Sequence, residues 1–572
     1  MLKIIQVLEQ NEKKNYIYIV LLIILLSFCE ALTFFFLQPI LSYFSNAKSL
    51  INLPFLSDYL SKISENINYL FLIFFFFFIL RFILSIIVSY KKSYLVKSVN
   101  NNLSNKLYEY YLRQEYQFYI DNQSSNFIAN ISLEVEKFSY RVLGCIIGLI
   151  TEIFLVIAIL IFLFTVYFYA TLLFFVVASF LFFFIYNFFK LKFNAMGKIK
   201  VQSDSDKIDI IQESFYIIQN IKLDNLENFF IEKFKKKNNN ASHSQFLLDF
   251  LSELPKPIIE LFILILIASV VASFYYYFSF SKQEIIIMLS IYAIAMFRIL
   301  PSFNRILGLV NQIRFHSFTT DIIYNIIQNN KIFNNKLNTE ILKKEYAGFK
   351  ESIKIENLYF KYSSSQNDIL SDINIKILKN EIIGISGDSG SGKSTLLNLI
   401  CFLLKPTKGR ILIDNLPLEN IYKSFQPKIG YVPQKIYLTN DSIIDNVIFG
   451  QEKKEKHDLE LFNRILDMCN LRELIDSKYN KEHFLIGERG TKLSGGQQQR
   501  IGIARALYKQ PDILILDEAT NALEIETEKQ IIETILNLKE KLTIILVTHN
   551  KSILNLASKI YEIINGKITQ VK

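Results

Sequence analysis

Hydrophobic residues run in long unbroken stretches through the first half of the chain and in short alternating ones after it. No residue from 16 to 29 is charged, and the apolar run resumes past Glu30 and is expected to stop near Pro39. About 20 apolar residues cross a bilayer as a helix, so this stretch predicts a first membrane span. A cleaved secretory leader is the rival reading, but the run is too long and no small-x-small cleavage site follows it. Five further spans are predicted at 69–90, 142–165, 167–188, 258–280 and 284–308. Almost nothing separates the third span from the fourth, or the fifth from the sixth. The links after the second and fourth are long, polar and lysine-rich, with Lys91, Lys92 and Lys97 in one and Lys198, Lys200 and Lys233 in the other. Lysine and arginine mark the cytoplasmic side, which puts these links and both chain ends in the cytoplasm. Helices of the second to fifth spans are expected to extend through the links, well beyond the bilayer.

Between the first two spans, on the outer side, Leu50, Leu53, Leu56, Tyr59, Leu60 and Ile63 recur at helical spacing. The segment 47–66 is therefore expected to be a short amphipathic helix, lying either on the membrane surface or against the protein. Near Gln328 the pattern changes. Residues 328–352, rich in Asn and Lys at their start, read as a linker, and from Ile353 short strands and helices alternate with turn signals, the pattern of an α/β domain. The predicted division is 1–327 membrane domain, 328–352 linker, 353–572 α/β domain.

Composition agrees with a membrane protein: 51% hydrophobic and 20% charged is too apolar for a soluble chain of 572 residues. The net charge of +10 does not point to nucleic acid, because the lysines flank apolar spans. The bias toward Phe, Ile, Lys, Asn and Tyr reads as an AT-rich genome, so the phenylalanine run 74–78 carries no special meaning. Cys29, Cys145, Cys401 and Cys469 show neither metal-ligand spacing nor a disulfide framework.

Ionisable residues inside spans need a reason, since each costs about 2.5–3.5 kcal/mol even on lenient insertion scales. They are Glu30, Arg81, Glu152, Glu260, Arg298 and Arg305, with Lys256 at an entrance. Arg298 and Arg305 lie seven apart, on one helix face and about 10 Å apart along its axis, with Pro301 between them. Two guanidinium forks on one face suit a phosphate-bearing ligand, and that is the expectation for this pair. Internal pairing, for instance of Arg81 with Glu30 or Glu152, is the alternative.

In the second half, Gly387, Asp388, Ser389, Gly390, Ser391, Gly392, Lys393, Ser394 and Thr395 spell G-x-x-x-x-G-K-[ST] between an apolar strand and a helix. Glycines let the backbone turn so that its N–H groups face a polyphosphate, and the helix N-terminus adds to the anion site. Lys393 is expected at the β- and γ-phosphates of ATP and Ser394 on Mg²⁺. Ile513-Leu-Ile-Leu-Asp517-Glu518 reads as a buried strand ending in two carboxylates, Asp517 for Mg²⁺ and Glu518 for polarising a water. Tyr362, Gln434 and His549 each end or follow strand-like stretches. Taken singly they are ordinarily a core aromatic, a solvated amide and a structural histidine.

Leu493-Ser494-Gly495-Gly496-Gln497 lies between the two nucleotide motifs. With it the chain resembles the ABC transporters, in the order of an exporter half-transporter: six membrane helices, then one P-loop nucleotide-binding domain. The resemblance implies that Tyr362 stacks on adenine, Gln434 reaches Mg²⁺ and the attacking water, Glu518 activates that water and His549 senses the γ-phosphate. It implies a homodimer in which Ser494, Gly495, Gly496 and Gln497 meet ATP held by the other subunit. Glu488-Arg489-Gly490 matches the stretch that meets the membrane domain's coupling helices, expected near 118–127 and 214–226. One departure stands at Asn521-Ala-Leu-Glu524, where Glu replaces the family's usual Asp.

In the last span, Arg298-x-x-Pro301-Ser302-x-Asn304-Arg305 is similar to a motif of the bacterial lipid-linked oligosaccharide flippases of the PglK type. Arg81 and the outer segment fit the same group, as does Lys256, where Arg is usual. That resemblance implies an inner-membrane flippase serving protein glycosylation. Its arginines would attract a polyprenyl-linked pyrophosphate, and its outer segment would meet the lipid tail. Other lipids, such as lipid A or a phospholipid, and peptides are the alternative cargo.

Overall fold

A computed structural model of the chain describes residues 2–45, 67–166, 168–254, 256–258, 260–261, 282–340, 348–363, 365–450, 458–478, 481–519, 528 and 541–572. The outer segment 47–66, most of the fifth span and the stretch 521–524 lie outside the described residues. The chain divides into two compact units, one of residues 1–114 and 122–336, the other of residues 115–121 and 337–572.

The first unit is helical. Helix α1 (Gln10–Ser45) runs straight through Pro39, which was expected to end it. Proline removes one helical hydrogen bond, but a span surrounded by lipid has no better way to satisfy its backbone than to stay helical. Helix α2 (Ile67–Leu112) has 46 residues, α3 (Gly144–Val166) has 23 and α4 (Phe168–Tyr216) has 49. At 1.5 Å per residue α2 and α4 are about 70 Å long, more than twice the hydrocarbon thickness, as expected of helices that project into the links. Helices α5 (Glu227–Glu253) and α6 (Lys282–Phe315) follow, and Pro301 lies inside α6. Helix α7 (Ser317–Glu340) corrects the linker, because residues 328–340 continue a helix. Ile323 and Ile327, four apart, are buried on its inner face, and this apolar stripe carries the weak helix-forming asparagines along. Stretches long and apolar enough to cross a membrane occur, among the described residues, within Gln10–Leu37, Ile67–Leu112, Lys137–Val166 and Leu289–Phe315. Short helices at Ser124–Ala129 and Ile218–Leu223, and one at Tyr116–Asp121 that belongs to the second unit, fall where the coupling segments were expected.

Two π-helical runs, Asn130–Glu134 and Lys137–Leu143, lead into α3. They carry a buried polar cluster. The Lys137 ammonium bridges Glu134 (2.7 Å) and Asp204 of α4 (2.9 Å), and Thr319 of α7 donates to Glu134 at 2.5 Å. Lys200 and Lys207 also pair with Asp204; burial would push its carboxyl up, but the cations, Lys137 foremost, hold it down at about 2. Beside them His316 is 7% exposed. Burial first, and then the Lys137, Arg141 and Lys200 cations, push its pKa down to about 3.

The second unit has two sheets. Its strands are β1 (Ser352–Phe360), β2 (Leu370–Leu378), β3 (Ile382–Gly387), β4 (Lys408–Ile413), β5 (Leu416–Pro417), β6 (Ile429–Val432), β7 (Ile513–Asp517), β8 (Thr543–Val547), β9 (Lys559–Ile564) and β10 (Lys567–Gln570). Strands β2-β1-β4-β5 form an antiparallel sheet. The larger sheet, β10-β9-β3-β8-β7-β6, is parallel except for β10 at its edge. Its central strands are unbroken apolar runs because both faces are covered. Ile513 and Ile515 join Ile383 and Ile385 in one core, while Leu514 and Leu516 join Ile382 and Ile544 in the other. Cys401 and Cys469 are buried small hydrophobes whose thiols burial pushes up to about 12.

Candidate nucleotide site and transmembrane cleft

The four segments expected to handle nucleotide leave the parallel sheet at one edge, because parallel strands all point their carboxyl ends the same way. The phosphate loop follows β3, Gln434 follows β6, Asp517 ends β7 and His549 follows β8. Between β3 and helix α8 (Lys393–Ile400), Gly387, Gly390 and Gly392 take φ of 142°, 82° and 106°. A Cβ on Gly387 would lie 2.4 Å from the carbonyl oxygen of Ile563, and one on Gly392 2.8 Å from Leu370 Cδ2. Only glycine allows this loop to wrap so closely. The Lys393 ammonium curls back to donate to the carbonyls of Gly387 (2.6 Å) and Asp388 (2.9 Å). Ser391 Oγ is buried without a hydrogen-bond partner among the described residues.

Glu518 is held with φ 50°, its N–H donating to Val547 O at 2.8 Å. Strain of this kind persists where the surroundings over-determine it. Its carboxylate accepts from Gln434 Nε2 at 2.6 Å and lies 3.4 Å from His549 Nε2. The fold thus brings together Glu518, Gln434 and His549, the three residues expected to take part in hydrolysis. Asp517 is 6% exposed. Burial and the neighbouring Glu518 charge push its carboxyl pKa up, against hydrogen bonds from Tyr431 and Ser394. Tyr431, whose hydroxyl donates to Asp517 at 3.3 Å, was not singled out from sequence. Its signal was its place in β6, which runs in parallel register beside β7.

These residues fit ATP and Mg²⁺. The orphaned Ser391 hydroxyl is a donor for phosphate oxygens, and Lys393 would hold the same oxygens. Ser394 and Asp517 are hard oxygen ligands, and the raised pKa of Asp517 reflects a buried negative charge that a divalent cation would offset. Held there, Mg²⁺ would supply positive charge to offset that of the phosphates. Gln434, expected at the metal, engages Glu518 in this structure.

Tyr362 lies just past β1, edge-on to Phe360 at 5.0 Å, with its hydroxyl 3.2 Å from Thr395 Oγ1 in the first turn of α8. Ser494 caps helix α9 (Gly495–Tyr508) in a reciprocal box. It accepts from Gln497 N at 3.3 Å, and Gln497 Oε1 accepts from Ser494 N at 3.0 Å. Gly495 and Gly496 form the first turn of that helix, which is a ready anion site. Among the described residues no hydrogen bond joins 493–497 to the phosphate loop of the same chain.

In the first unit a cleft of about 580 Å³ is lined by Arg298 and Arg305 of α6, Ser89 and Lys92 of α2, Glu152 of α3 and Ser252 of α5. A neighbouring cavity of about 410 Å³ is lined by Lys256, Asn304 and Arg305, together with Asp249 and Glu253. The two arginines share a helix face, as their spacing requires. They are not bare, however, which corrects the expectation of guanidiniums left open to a ligand. Arg298 Nε donates to Glu30 Oε1 at 2.9 Å, and Arg305 Nη1 donates to Glu152 Oε1 at 2.7 Å. Arg81 also pairs with Glu30 and lines neither cavity. The physical reason is desolvation: Glu30 and Glu152 are buried, and a buried carboxylate needs a cation. The spacing within α6 could not disclose partners on α1 and α3.

Residues 16–300 match the ABC transporter transmembrane region and residues 370–521 match the ABC transporter family. The multidrug resistance-like ATP-binding protein MdlA of Buchnera aphidicola is 29% identical over 473 residues, 82% of this chain and 79% of that protein. An ATP-dependent lipid A-core flippase of Cupriavidus pinatubonensis is 35% identical over 222 residues, which span only 39% of this chain and 38% of that one. The structure of a bacterial Atm1-family ABC exporter with ATP bound superposes with a TM-score of 0.76 at 18% identity, covering 98% of this chain and 95% of that chain, and so shares the fold. A membrane-spanning helical domain followed by a P-loop domain with an intact signature segment, matched by both family regions in that order, identifies the chain as an ABC transporter of the exporter half-transporter type, an ATPase coupled to transport across a membrane.

Proposed function

We propose that the protein is a homodimeric flippase of the bacterial inner membrane that uses ATP to carry a polyprenyl-diphosphate-linked oligosaccharide to the outer leaflet for protein glycosylation. The observation that carries this reading is the shared lining of one cleft by Arg298 and Arg305, with Arg81 tied in behind through Glu30. Guanidinium forks recognise phosphate oxygens. A sugar headgroup loses water when it enters hydrocarbon, and a polar, cation-lined path removes much of that penalty while the tail stays in lipid.

In this reading two chains meet so that Ser494 and the N–H groups at the start of α9 cover the ATP on the partner's phosphate loop. Closure is favoured by nucleotide, and hydrolysis resets it. Glu518 polarises the water, Gln434 and His549 orient Glu518, Lys393 holds the phosphates, and Ser394 and Asp517 hold Mg²⁺. Tyr362 stacks on adenine. Lys256, in the adjoining cavity, guides the headgroup between the two spaces.

The test is ATP-dependent translocation of a labelled lipid-linked oligosaccharide in proteoliposomes, with wild type and Arg305→Ala. Translocation by wild type that is lost in the variant is expected, and equal translocation by both overturns the substrate assignment. A second reading, lipid A-core as cargo, has the named lipid A-core flippase relative in its favour. Transport of that lipid, and not of the oligosaccharide, would establish it.

A further inference from the structure

We propose that Lys92 is a further anion-binding residue of the transmembrane cleft and makes it select a headgroup of two negative charges over one of a single charge. This rests on the flippase reading above.

Lys92 lies on α2 and lines the same 580 Å³ cleft as Arg298 and Arg305. It is half-buried. Its ammonium sits against Gly148 of α3, where an added Cβ would come within 3.3 Å of Nζ and within 3.3 Å of Leu309 Cδ1. The bare backbone at Gly148 therefore gives the ammonium its room. Among the described residues no hydrogen bond and no carboxylate holds it.

That separates it from its neighbours. Arg305 and Glu152 form a neutral pair. Glu30 is shared by Arg81 and Arg298, which leaves one positive charge on that trio. Lys92 adds a second. The cleft thus presents two uncompensated positive charges, one from the trio and one from the lysine. The adjoining cavity holds Lys256 with Asp249 and Glu253, a net negative charge, so the positive excess is confined to the first cleft. A diphosphate bridging a sugar and a lipid carries two negative charges near neutral pH, and a monophosphate bridge carries one.

A part-desolvated ammonium without a counter-ion is costly, and an arriving anion relieves that cost. Ser85 and Ser89 precede Lys92 by seven and three positions on α2 and line the same cleft, as do Thr151 and Gln312. Ser89 and Gln312 extend the donor set available to phosphate oxygens, whereas the Ser85 and Thr151 hydroxyls already donate to the carbonyls of Phe82 (2.8 Å) and Ile147 (2.9 Å).

The experiment uses the full chain in lipid nanodiscs. It measures binding of polyprenyl-diphosphate-linked N-acetylglucosamine and of the polyprenyl-monophosphate-linked sugar with the same tail. Wild type should prefer the diphosphate by about tenfold, the scale of one charge-assisted contact. Lys92→Gln should lose most of that preference through weaker diphosphate binding, and Lys92→Arg should keep it. If Lys92→Gln melts like wild type and retains the wild-type ratio, the proposal is overturned, and the flippase reading still stands provided Arg305→Ala weakens both probes. Wild type that shows no preference between the probes also overturns the role of Lys92. Wild type that binds neither probe overturns the flippase reading and this inference together.

Discussion

Glu30 is the most exposed point of the membrane domain's electrostatics in energetic terms, although it is among its most buried groups. Its side chain is 3% exposed and carries the ion pairs of both Arg81 and Arg298. At an effective dielectric constant of about 20, each contact of opposite unit charges about 4 Å apart is worth roughly 4 kcal/mol. Desolvation has already cancelled most of this in the folded protein, so the whole trio adds little net stability. Removal of the shared anion is different, because it leaves two part-buried guanidiniums facing each other with nothing between them. Breaking a buried pair in this way typically costs about 3–5 kcal/mol. Glu30→Gln should therefore lower the melting temperature of the purified protein by about 5 °C, since a unit of this size shifts by about 1–2 °C per kcal/mol. The measurement is a scanning melt at fixed heating rate, since unfolding of a membrane protein is rarely reversible. Adding Arg81→Ala to Glu30→Gln should restore part of the loss, because one of the stranded charges goes too. Strict additivity of the two substitutions, or a Glu30→Gln protein that melts like wild type, would refute the shared-carboxylate account.

Two further outcomes follow from the soluble-facing parts of the chain. Glu518→Gln should still bind a fluorescent ATP analogue but hydrolyse ATP about 10²–10⁴-fold more slowly, the usual worth of a positioned base; phosphate release at the wild-type rate would remove Glu518 from the reaction. His316 is held neutral, with its pKa lowered from 6.5 to about 3. A lowered pKa gives stability that is complete above about pH 6.5 and lost as pH falls toward 3, because only the unfolded chain takes up the proton. Between pH 7.5 and 5 the wild type should lose about 2 kcal/mol on this account, and His316→Asn should flatten that part of the melting profile. The paired Asp204 does not blur the test, since its lowered pKa matters only below its ordinary value of 3.8.

Much of this protein was legible in one dimension, where the chemistry is local. Uninterrupted apolar length specifies a bilayer-crossing helix, because lipid offers the backbone no alternative partner. The phosphate loop is a contiguous device: its glycines, lysine and hydroxyl work through the backbone turn they themselves dictate. Asp517 and Glu518 were readable because a buried parallel strand is a plain apolar run and its carboxyl end is where ligands meet. Pro39 and the asparagine-rich stretch after Gln328 misled for a related reason, since local propensity is weak wherever lipid or an apolar stripe decides the outcome.

What the tertiary structure alone decided is which charge faces which. Nothing in the spacing of Arg298 and Arg305 says that one shares Glu30 with Arg81 and the other takes Glu152, because those carboxylates arrive on helices more than a hundred residues away in sequence. The same holds for Lys137 against Asp204, for Tyr431 beside Asp517, and for the Lys92 ammonium, unpaired among the described residues, resting on Gly148. Periodicity determines the face on which a side chain stands. The partner it meets depends on how helices pack, and in a medium that punishes unpaired charge that partner determines what the side chain is free to do.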